Sequence, residues 1–545
     1  MSSRPTLAIY GIKHPLYMHD HNICLMRDGV IELYLPLERY TRQKYDNRLD
    51  LFLEDLNDSG MLKLPEEFDI VSVNSFIGNA FISANGKIRV ESGVSKNLNT
   101  GLEPAYSNIA GAAYNCSHEL AHIASCLPFF GEFKENSLLV SFDGGSSLGN
   151  FSAFHFINGK LNLLEYGWDE LGYLPKLFND NALVFKILGA GRNEHCSVPG
   201  KLMGYACYGI RDEKIERWLK ENNYFKDHWD DSVSILRSAK EVFGIHAVDF
   251  DNREKFWQNT AAVFQHLFED GFISKMESMQ KRTGTDYLYY AGGCALNIIT
   301  NTKILDKQIF KDVFIPPCCN DSGLSIGAAA FLEWRKGNRI SIHSPYLCNA
   351  GISVFNEADV SSDLIKQVAE IILSGGIIGV CNGNAEAGPR ALGNRSLIAL
   401  ANNKDIARKL SMDVKKREWY RPVAPIMLKQ AAEKVIGRPI HHLAKFMLLD
   451  FPVKRAFNND LAGVVHANQS ARIQIIDKES NNPFMFKLLS YLHDNHNILA
   501  LINTSFNAQG EPIVHTPEDA LRSAEKMGLQ GVVINNVYRK IRGSL

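Results

Sequence analysis

The chain has 545 residues, 59 Lys+Arg against 60 Asp+Glu, and 45% hydrophobic residues. At roughly 100 to 200 residues per domain, this length predicts two to four domains with sizeable cores. The balanced charge asks for neither nucleic acid nor an anionic membrane as partner, and no apolar window reaches the roughly 18 residues of a membrane span. The ten cysteines form no C-x-x-C pair, which speaks against a zinc ribbon or a thioredoxin-type motif. The apolar run from Thr6 to Tyr10 is too short for a signal-peptide core, so a reduced, cytoplasmic enzyme is the expectation.

Residues 6–12 read as a buried strand. A polar segment follows, holding His14, His19, Asp20 and His21. Two apolar runs, 22–26 and 30–35, then flank Asp28-Gly29, the strongest short-range hairpin signal. The pattern recurs further on. Residues 138–142 read as a second buried strand ending in Asp143-Gly144-Gly145-Ser146-Ser147, and the runs 151–157 and 161–166 flank Asn158-Gly159. The repetition of strand, polar or Gly-rich turn and hairpin predicts an internal duplication, with two lobes about a cleft in the manner of actin-like ATPases.

Between these units, residues 107–126 read as one helix that must stop by Pro128. It carries His118 and His122, four residues apart and therefore on one face, where both imidazoles can reach one metal ion. The same stretch is an H-E-x-x-H signature, in which Glu119 would be the base of a zinc metalloprotease and Glu165 a candidate third ligand. Two structurally satisfied histidines are the third reading. Residues 198–204 read as a Gly-bounded turn carrying Lys201. Residues 210–282 read as amphipathic helix, with Trp218, Phe225, Trp229, Phe243 and Phe256 as core. A short strand at 288–290 opens onto Gly292-Gly293-Cys294-Ala295-Leu296-Asn297, and residues 314–317 lead into Asn320-Asp321-Ser322-Gly323. The chain turns polar and irregular over 334–363, which sets the expected domains at 1–345 and 363–545 with a linker at 346–362.

Glycines after strands let backbone amides approach phosphate oxygens, and three such loops stand at Gly144, Gly292 and Gly323. Asp143 and Asp321 are the carboxylates best placed at a nucleotide or metal. With an aspartate added, the histidine pair suits Fe(II) or Mn(II) as well as zinc. His19 beside Asp20 is a candidate general base or a loop histidine. In the second half Arg390, Arg395, Lys416, Arg417 and Arg421 gather beside Gly and Pro turns, a pattern suited to an oxyanion. The run from His466 to Arg472 adds a further polar site.

Taken together, Gly388-Pro389-Arg390-Ala391-Leu392-Gly393-Asn394-Arg395-Ser396, the runs 417–422, 503–506 and 292–297, and the histidine pair resemble the O-carbamoyltransferase family. That family includes nodulation-factor carbamoyltransferases and enzymes that carbamoylate tobramycin, novobiocin and cephem antibiotics. The resemblance runs over nearly the whole chain, with the motifs in family order. It implies an α/β protein with an N-terminal duplicated actin-like domain (ASKHA, ribonuclease H-like) and a C-terminal YrdC-like α/β domain. It also implies that the YrdC-like domain combines carbamoyl phosphate with ATP, giving carbamoyl-adenylate and pyrophosphate. The actin-like domain would then pass the carbamoyl group to an acceptor hydroxyl.

Carried over by motif position, His118, His122 and Asp321 would hold a divalent metal, with Fe2+ ahead of Mn2+ or Zn2+. Asp143 would join them beside the nucleotide, and Mg2+ would accompany ATP. His19, with Asp20, would serve the acceptor as base. Cofactor contacts would fall to Gly144, Gly145, Lys201, Gly292, Gly293, Asn297 and Gly323 in the first domain. In the second they would fall to Arg390, Arg395, Lys416, Arg417, Arg421, His466, Arg472 and Asn503. Two departures stand out. The family's His-x-Asp-Gly-Thr-x-Arg is replaced by His466-Ala467-Asn468-Gln469-Ser470-Ala471-Arg472, and residues 19–22 read His-Asp-His-Asn. The expected partner is a small hydroxylated molecule of natural-product, sugar or nodulation-factor type, with no nucleic acid and no membrane; monomer and homodimer both stay open. The competing readings are the H-E-x-x-H metalloprotease and a non-catalytic actin-like nucleotide-binding protein.

Overall fold

The computed structural model describes residues 4–12, 18–92, 97–168, 170–171, 174, 176–179, 181–224, 231–246, 249–352 and 360–541. The N-terminal half carries two sheets of the same design. The first contains β1 (Thr6–Tyr10), β2 (Asn22–Arg27), β3 (Val30–Pro36), β4 (Asp69–Val73) and β5 (Ala113–Cys116), in the order β3-β2-β1-β4-β5, with Leu102–Pro104 added at the edge. The second contains β6 (Ser137–Phe142), β7 (Phe151–Ile157), β8 (Lys160–Gly167), β9 (Tyr287–Ala291) and β10 (Asp312–Phe314), in the order β8-β7-β6-β9-β10. In each, the first strand pairs antiparallel with the second and parallel with the fourth. The two hairpin tips match as well. Asp28 and Gly29 have φ of 49° and 77°, and Asn158 and Gly159 have 53° and 67°. Two consecutive positive φ values are the type I′ turn that suits strand twist, and Asn/Asp-Gly tolerates them. The duplicated actin-like architecture expected from the repeat is therefore present.

The helix expected at 107–126 is much shorter. Helix α1 spans only His118–Ala124, because the chain pairs as β5 up to Cys116 and Ser117 then caps the helix, its side chain accepting from Leu120 N. A second short helix, Leu127–Phe130, holds Pro128 in its first turn, where the missing N–H breaks no intrahelical bond. The turn expected at 198–204 is instead helix α2 (Val198–Ala206), with Pro199 again in the first turn. Among the described residues the helical stretch at 210–282 holds three helices, Glu213–Glu221, Ser232–Phe243 and α3 (Lys255–Thr283). Trp218 is buried in the core; Phe243 and Phe256 pack half-buried against it, and Phe225 and Trp229 lie outside the described residues. Helix α4 (Leu324–Arg335) closes this half.

The C-terminal half is a mixed seven-stranded α/β sheet built on Ile378–Cys381, Arg395–Leu400, Ala424–Leu428 and Ala500–Ser505. It sits tightly on the actin-like half. Gly388 has φ +95°, and a Cβ there would fall 2.2 Å from the carbonyl oxygen of Pro317, so glycine alone fits this seam. Trp419 donates to Asn252 at 3.0 Å, and Arg42 donates to the carbonyls of Ile513 and Pro512 at 2.7 and 2.9 Å. Among the described residues no helix is long and apolar enough to cross a membrane.

Candidate active site

Ser117 sets the phase of α1, so that His118 and His122 both point inward and are fully buried. Their Nε2 atoms stand 3.1 Å apart. Asp321, on the turn after β10, brings Oδ1 within 3.5 Å of His118 Nε2 and 3.4 Å of His122 Nε2, and Asp143 Oδ2 lies 3.4 Å from His122 Nε2. Ligand atoms bound at about 2.1 Å to one ion are spaced by about 3.0–3.4 Å, so His118, His122 and Asp321 fit a single divalent cation, with Asp143 beside His122. Two imidazole nitrogens and a carboxylate oxygen form a mixed donor set suited to iron, manganese or zinc. Electrostatics agree. Burial pushes His122 down, yet Asp143 and Asp321 outweigh it and raise the imidazole to about 9. Burial pushes Asp321 up, but the two histidines hold it well below the carboxylate range. The pocket stabilises positive charge between these side chains. Tyr10 donates its hydroxyl to Asp321 Oδ2 at 2.8 Å and fixes the carboxylate from behind.

Two of the glycine loops converge on Asp143. Gly144 N donates to Oδ1 at 2.5 Å and Gly293 N donates to Oδ2. Gly292, at φ +100°, would place a Cβ 2.1 Å from the carbonyl oxygen of Phe142, so the two loops meet only because it is glycine. Gly145 follows in the same turn, against Phe76 and Trp168. Gly323 belongs to the Asp321 turn and packs on Cys318.

Several expected contacts are corrected. Asn297 is a helix cap: it accepts from Thr300 N at 3.2 Å and donates to Gln265, which occupies its amide. Lys201 is a buried cation held by Glu194 at 2.5 Å and Glu418 at 2.8 Å across the domain seam. Glu119 is neither exposed nor turned to the histidine pair's ligand set; it is buried and accepts from Leu148 N at 2.7 Å, pinning the Asp143 loop. Glu165 pairs with Lys275 at 2.5 Å and Arg282 at 3.2 Å. The metalloprotease reading thus loses both its base and its third ligand.

In the C-terminal half Arg390, Arg417, Arg421 and Arg472 crowd one pocket. Burial, then Arg390, Arg417 and Arg421, push Arg472 well below the arginine range, and burial with Arg421 brings Arg417 down to about 9. His466 is lowered to about 4 by burial and Arg472. The Nε atoms of Arg390 and Arg472 and the Nε2 of His466 are buried without a hydrogen-bond partner. Like charges with idle donors in one place are a site for an oxyanion. Arg421 and His466 also line a cavity of about 290 Å³ at the seam.

Arg395 is corrected: it is fully buried, and its guanidinium donates to the carbonyls of His515, Asn382, Asn394 and Gly383 at 2.8–3.0 Å. It holds the loop rather than a ligand. Lys416 points outward at φ +51°, while its neighbour Lys415 is buried and bound to Ser505 and Asn507. Asn503 donates to Ala391 and Gln474, bracing the Arg390 loop. Glu386, unnoticed in the sequence, accepts from the amides of Leu392, Asn394 and Arg395 and shapes that loop. At the departed motif Gln469 adopts φ +62° where the family has glycine, and Asn468 accepts from Ser470 at 2.9 Å in place of a carboxylate.

His19 Nδ1 lies 3.1 Å from Asp20 Oδ2, and Asn320 donates to the same oxygen at 3.3 Å. Across the cleft stand His195 and Cys196, two residues that sequence patterning did not single out. Burial pushes the Cys319 thiol up to about 12 while Arg390 opposes and Asp143 assists, so Cys319 lies within electrostatic reach of both the arginine pocket and the histidine cluster.

The comparisons with known proteins agree with this arrangement. Residues 103–330 match the family described as Carbamoyltransferase N-terminus, and residues 369–540 match Carbamoyltransferase C-terminus. The nodulation protein U of Rhizobium fredii is 30% identical over 93% of this chain and 91% of its own length. The nodulation protein NolNO of Sinorhizobium fredii is 26% identical over 96% of this chain and 79% of its own. Full-length HypF in its phosphate- and nucleotide-bound form aligns over 62% of this chain and 57% of its own, at 11% identity and a TM-score of 0.33; the fold is read from the topology above. The chain belongs to the carbamoyltransferase family, and it is a carbamoyltransferase.

Proposed function

We propose that the chain is an ATP-dependent O-carbamoyltransferase that works through carbamoyl-adenylate. Carbamoyl phosphate, ATP with its Mg2+ and one water give carbamoyl-adenylate, pyrophosphate and inorganic phosphate in the C-terminal pocket. The oxygen of an acceptor hydroxyl then forms a bond to the carbamoyl carbon, the bond from that carbon to the adenylate phosphate oxygen breaks, and AMP leaves. The observation that carries this reading is a buried arginine pocket with unpartnered donors in the same molecule as a His-His-Asp cluster, both within electrostatic reach of Cys319.

Arg390, Arg417, Arg421 and Arg472 supply a preorganised seat for phosphate oxygens. The amides of Gly144 and Gly293 already converge on one carboxylate position, and helix-and-loop amides of this kind suit the adenylate phosphate. A divalent ion on His118, His122, Asp321 and Asp143 would offset charge on the departing AMP. The acceptor hydroxyl loses its proton at the His19 corner, where Asp20 fixes the imidazole through Nδ1 and leaves Nε2 facing the cleft. The acceptor is a small hydroxylated molecule of natural-product, sugar or nodulation-factor type; two of the relatives bear nodulation names.

The test is to incubate the protein with ATP and carbamoyl phosphate under a series of divalent metals and follow AMP and pyrophosphate. Both should form only when carbamoyl phosphate is present. Absence of both under every metal would contradict the proposal.

A further inference from the structure

We propose that His19, His195 and Cys196 form a second metal site, selective for zinc, that bridges the two lobes of the actin-like half and keeps one position open toward the acceptor. One ligand atom from each of these three residues lies within 4.8 Å of the others. Cys196 Sγ stands 3.2 Å from His195 Nε2, and the rings of His19 and His195 are 5.8 Å apart at 63°. The spacing suits an ion with bonds of about 2.0 Å to nitrogen and 2.3 Å to sulfur. Three protein ligands with one open position is the pattern of a catalytic rather than a structural zinc site.

The surroundings fit the same role. The Asp20 carboxylate takes Nδ1 of His19, so Nε2 is the nitrogen aimed at the site, and Asn320 steadies that carboxylate. A carboxylate behind a histidine is the usual support for a zinc ligand.

Ligand softness separates this site from the His118 site. A thiolate with two imidazoles favours zinc, whereas the two carboxylates at the His118 cluster admit harder ions. His19 follows β1 and His195 and Cys196 precede α2, so one ion here ties segments far apart in the chain across the cleft. The open position would take the acceptor's hydroxyl oxygen. That last statement rests on the proposed transfer reaction, and with zinc present His19 serves as a ligand at the corner where it otherwise serves as free base.

The experiment uses the full chain, stripped with a chelator and titrated with Zn2+ alone and with Co2+ as a spectroscopic probe. The expected results are one equivalent of zinc lost in Cys196→Ser and in His195→Ala, and a thiolate-to-cobalt charge-transfer band that is present in the natural protein, absent in Cys196→Ser and retained in His122→Ala. A cobalt spectrum of the natural protein without that band would overturn the proposal without relying on any variant. A band that persists in Cys196→Ser would overturn it as well. Carbamoyl-phosphate-dependent pyrophosphate release, measured in parallel, reports on the transfer reading separately, since its loss in the natural protein would sink that reading and leave the zinc result standing.

Discussion

The cleft of the actin-like half and the pocket of the C-terminal half are built on opposite charge. In the cleft, two carboxylates face two imidazoles and raise His122 to about 9, so the site gathers positive charge. In the pocket, burial and then neighbouring guanidiniums lower Arg390, Arg417 and Arg472, with Arg417 brought to about 9, so the site gathers negative charge. The arginine pocket is not stable for its own sake, because buried like charges cost free energy until a counter-charge arrives, whereas the carboxylates and imidazoles of the cleft compensate one another. In the proposed reaction this contrast gives the two halves different tasks, one holding phosphate groups and one activating the transfer.

Variants can break that contrast in order of severity. Arg390→Ala removes a phosphate seat, and adenylate formation should fall by on the order of 10²–10³-fold with transfer falling alongside, read as pyrophosphate and carbamoylated product. His122→Ala should cut product formation by on the order of 10²-fold while adenylate formation survives, because the histidine lies in the other pocket. Arg395→Ala tests the structural member of the arginine run. It strands several buried carbonyls, so denaturant unfolding should show a loss of about 3–5 kcal/mol, and Arg395→Lys should not restore it.

The seam between the halves predicts a pH dependence. His515 is buried, accepts no proton until about 3, and contacts the carbonyl oxygen of Ala350 at 2.7 Å. Its folded value is depressed below 6.5, so the unfolded chain binds the proton first. Stability is therefore complete above that ordinary value and declines as pH falls toward 3, by about 2 kcal/mol at about pH 5. His515→Gln should flatten part of this slope in urea midpoints. The smallest effect belongs to Glu119→Gln, which keeps an acceptor for Leu148 N and should change transfer less than about threefold.

Much of this was legible in the sequence because it is local. The two Asx-Gly hairpins, the strands before them and the histidine pair each depend on residues within a few positions, and all appear where expected. What was illegible depends on distant partners. Arg390 and Arg395 look alike in the run Gly388 to Ser396, but only one has its donors taken, by carbonyls from His515 and Asn382. Lys201 was assigned a ligand because Glu418, its partner, lies more than two hundred positions away. Asn297 followed glycines like a phosphate contact, yet the helix after it needed a cap. His195 and Cys196 carry no motif and gain meaning only when the lobes bring His19 to them. The helix expected at 107–126 starts only at His118, because Ala113–Cys116 pair with the neighbouring strand instead.

The most direct measurement of the central account is carbamoyl-phosphate-dependent exchange of radiolabelled pyrophosphate into ATP, which reads adenylate formation without any acceptor. The account predicts that His122→Ala retains this exchange near the natural rate and that Arg390→Ala loses it. Equal loss in both variants, or loss in His122→Ala alone, would contradict the division of the reaction between the two halves.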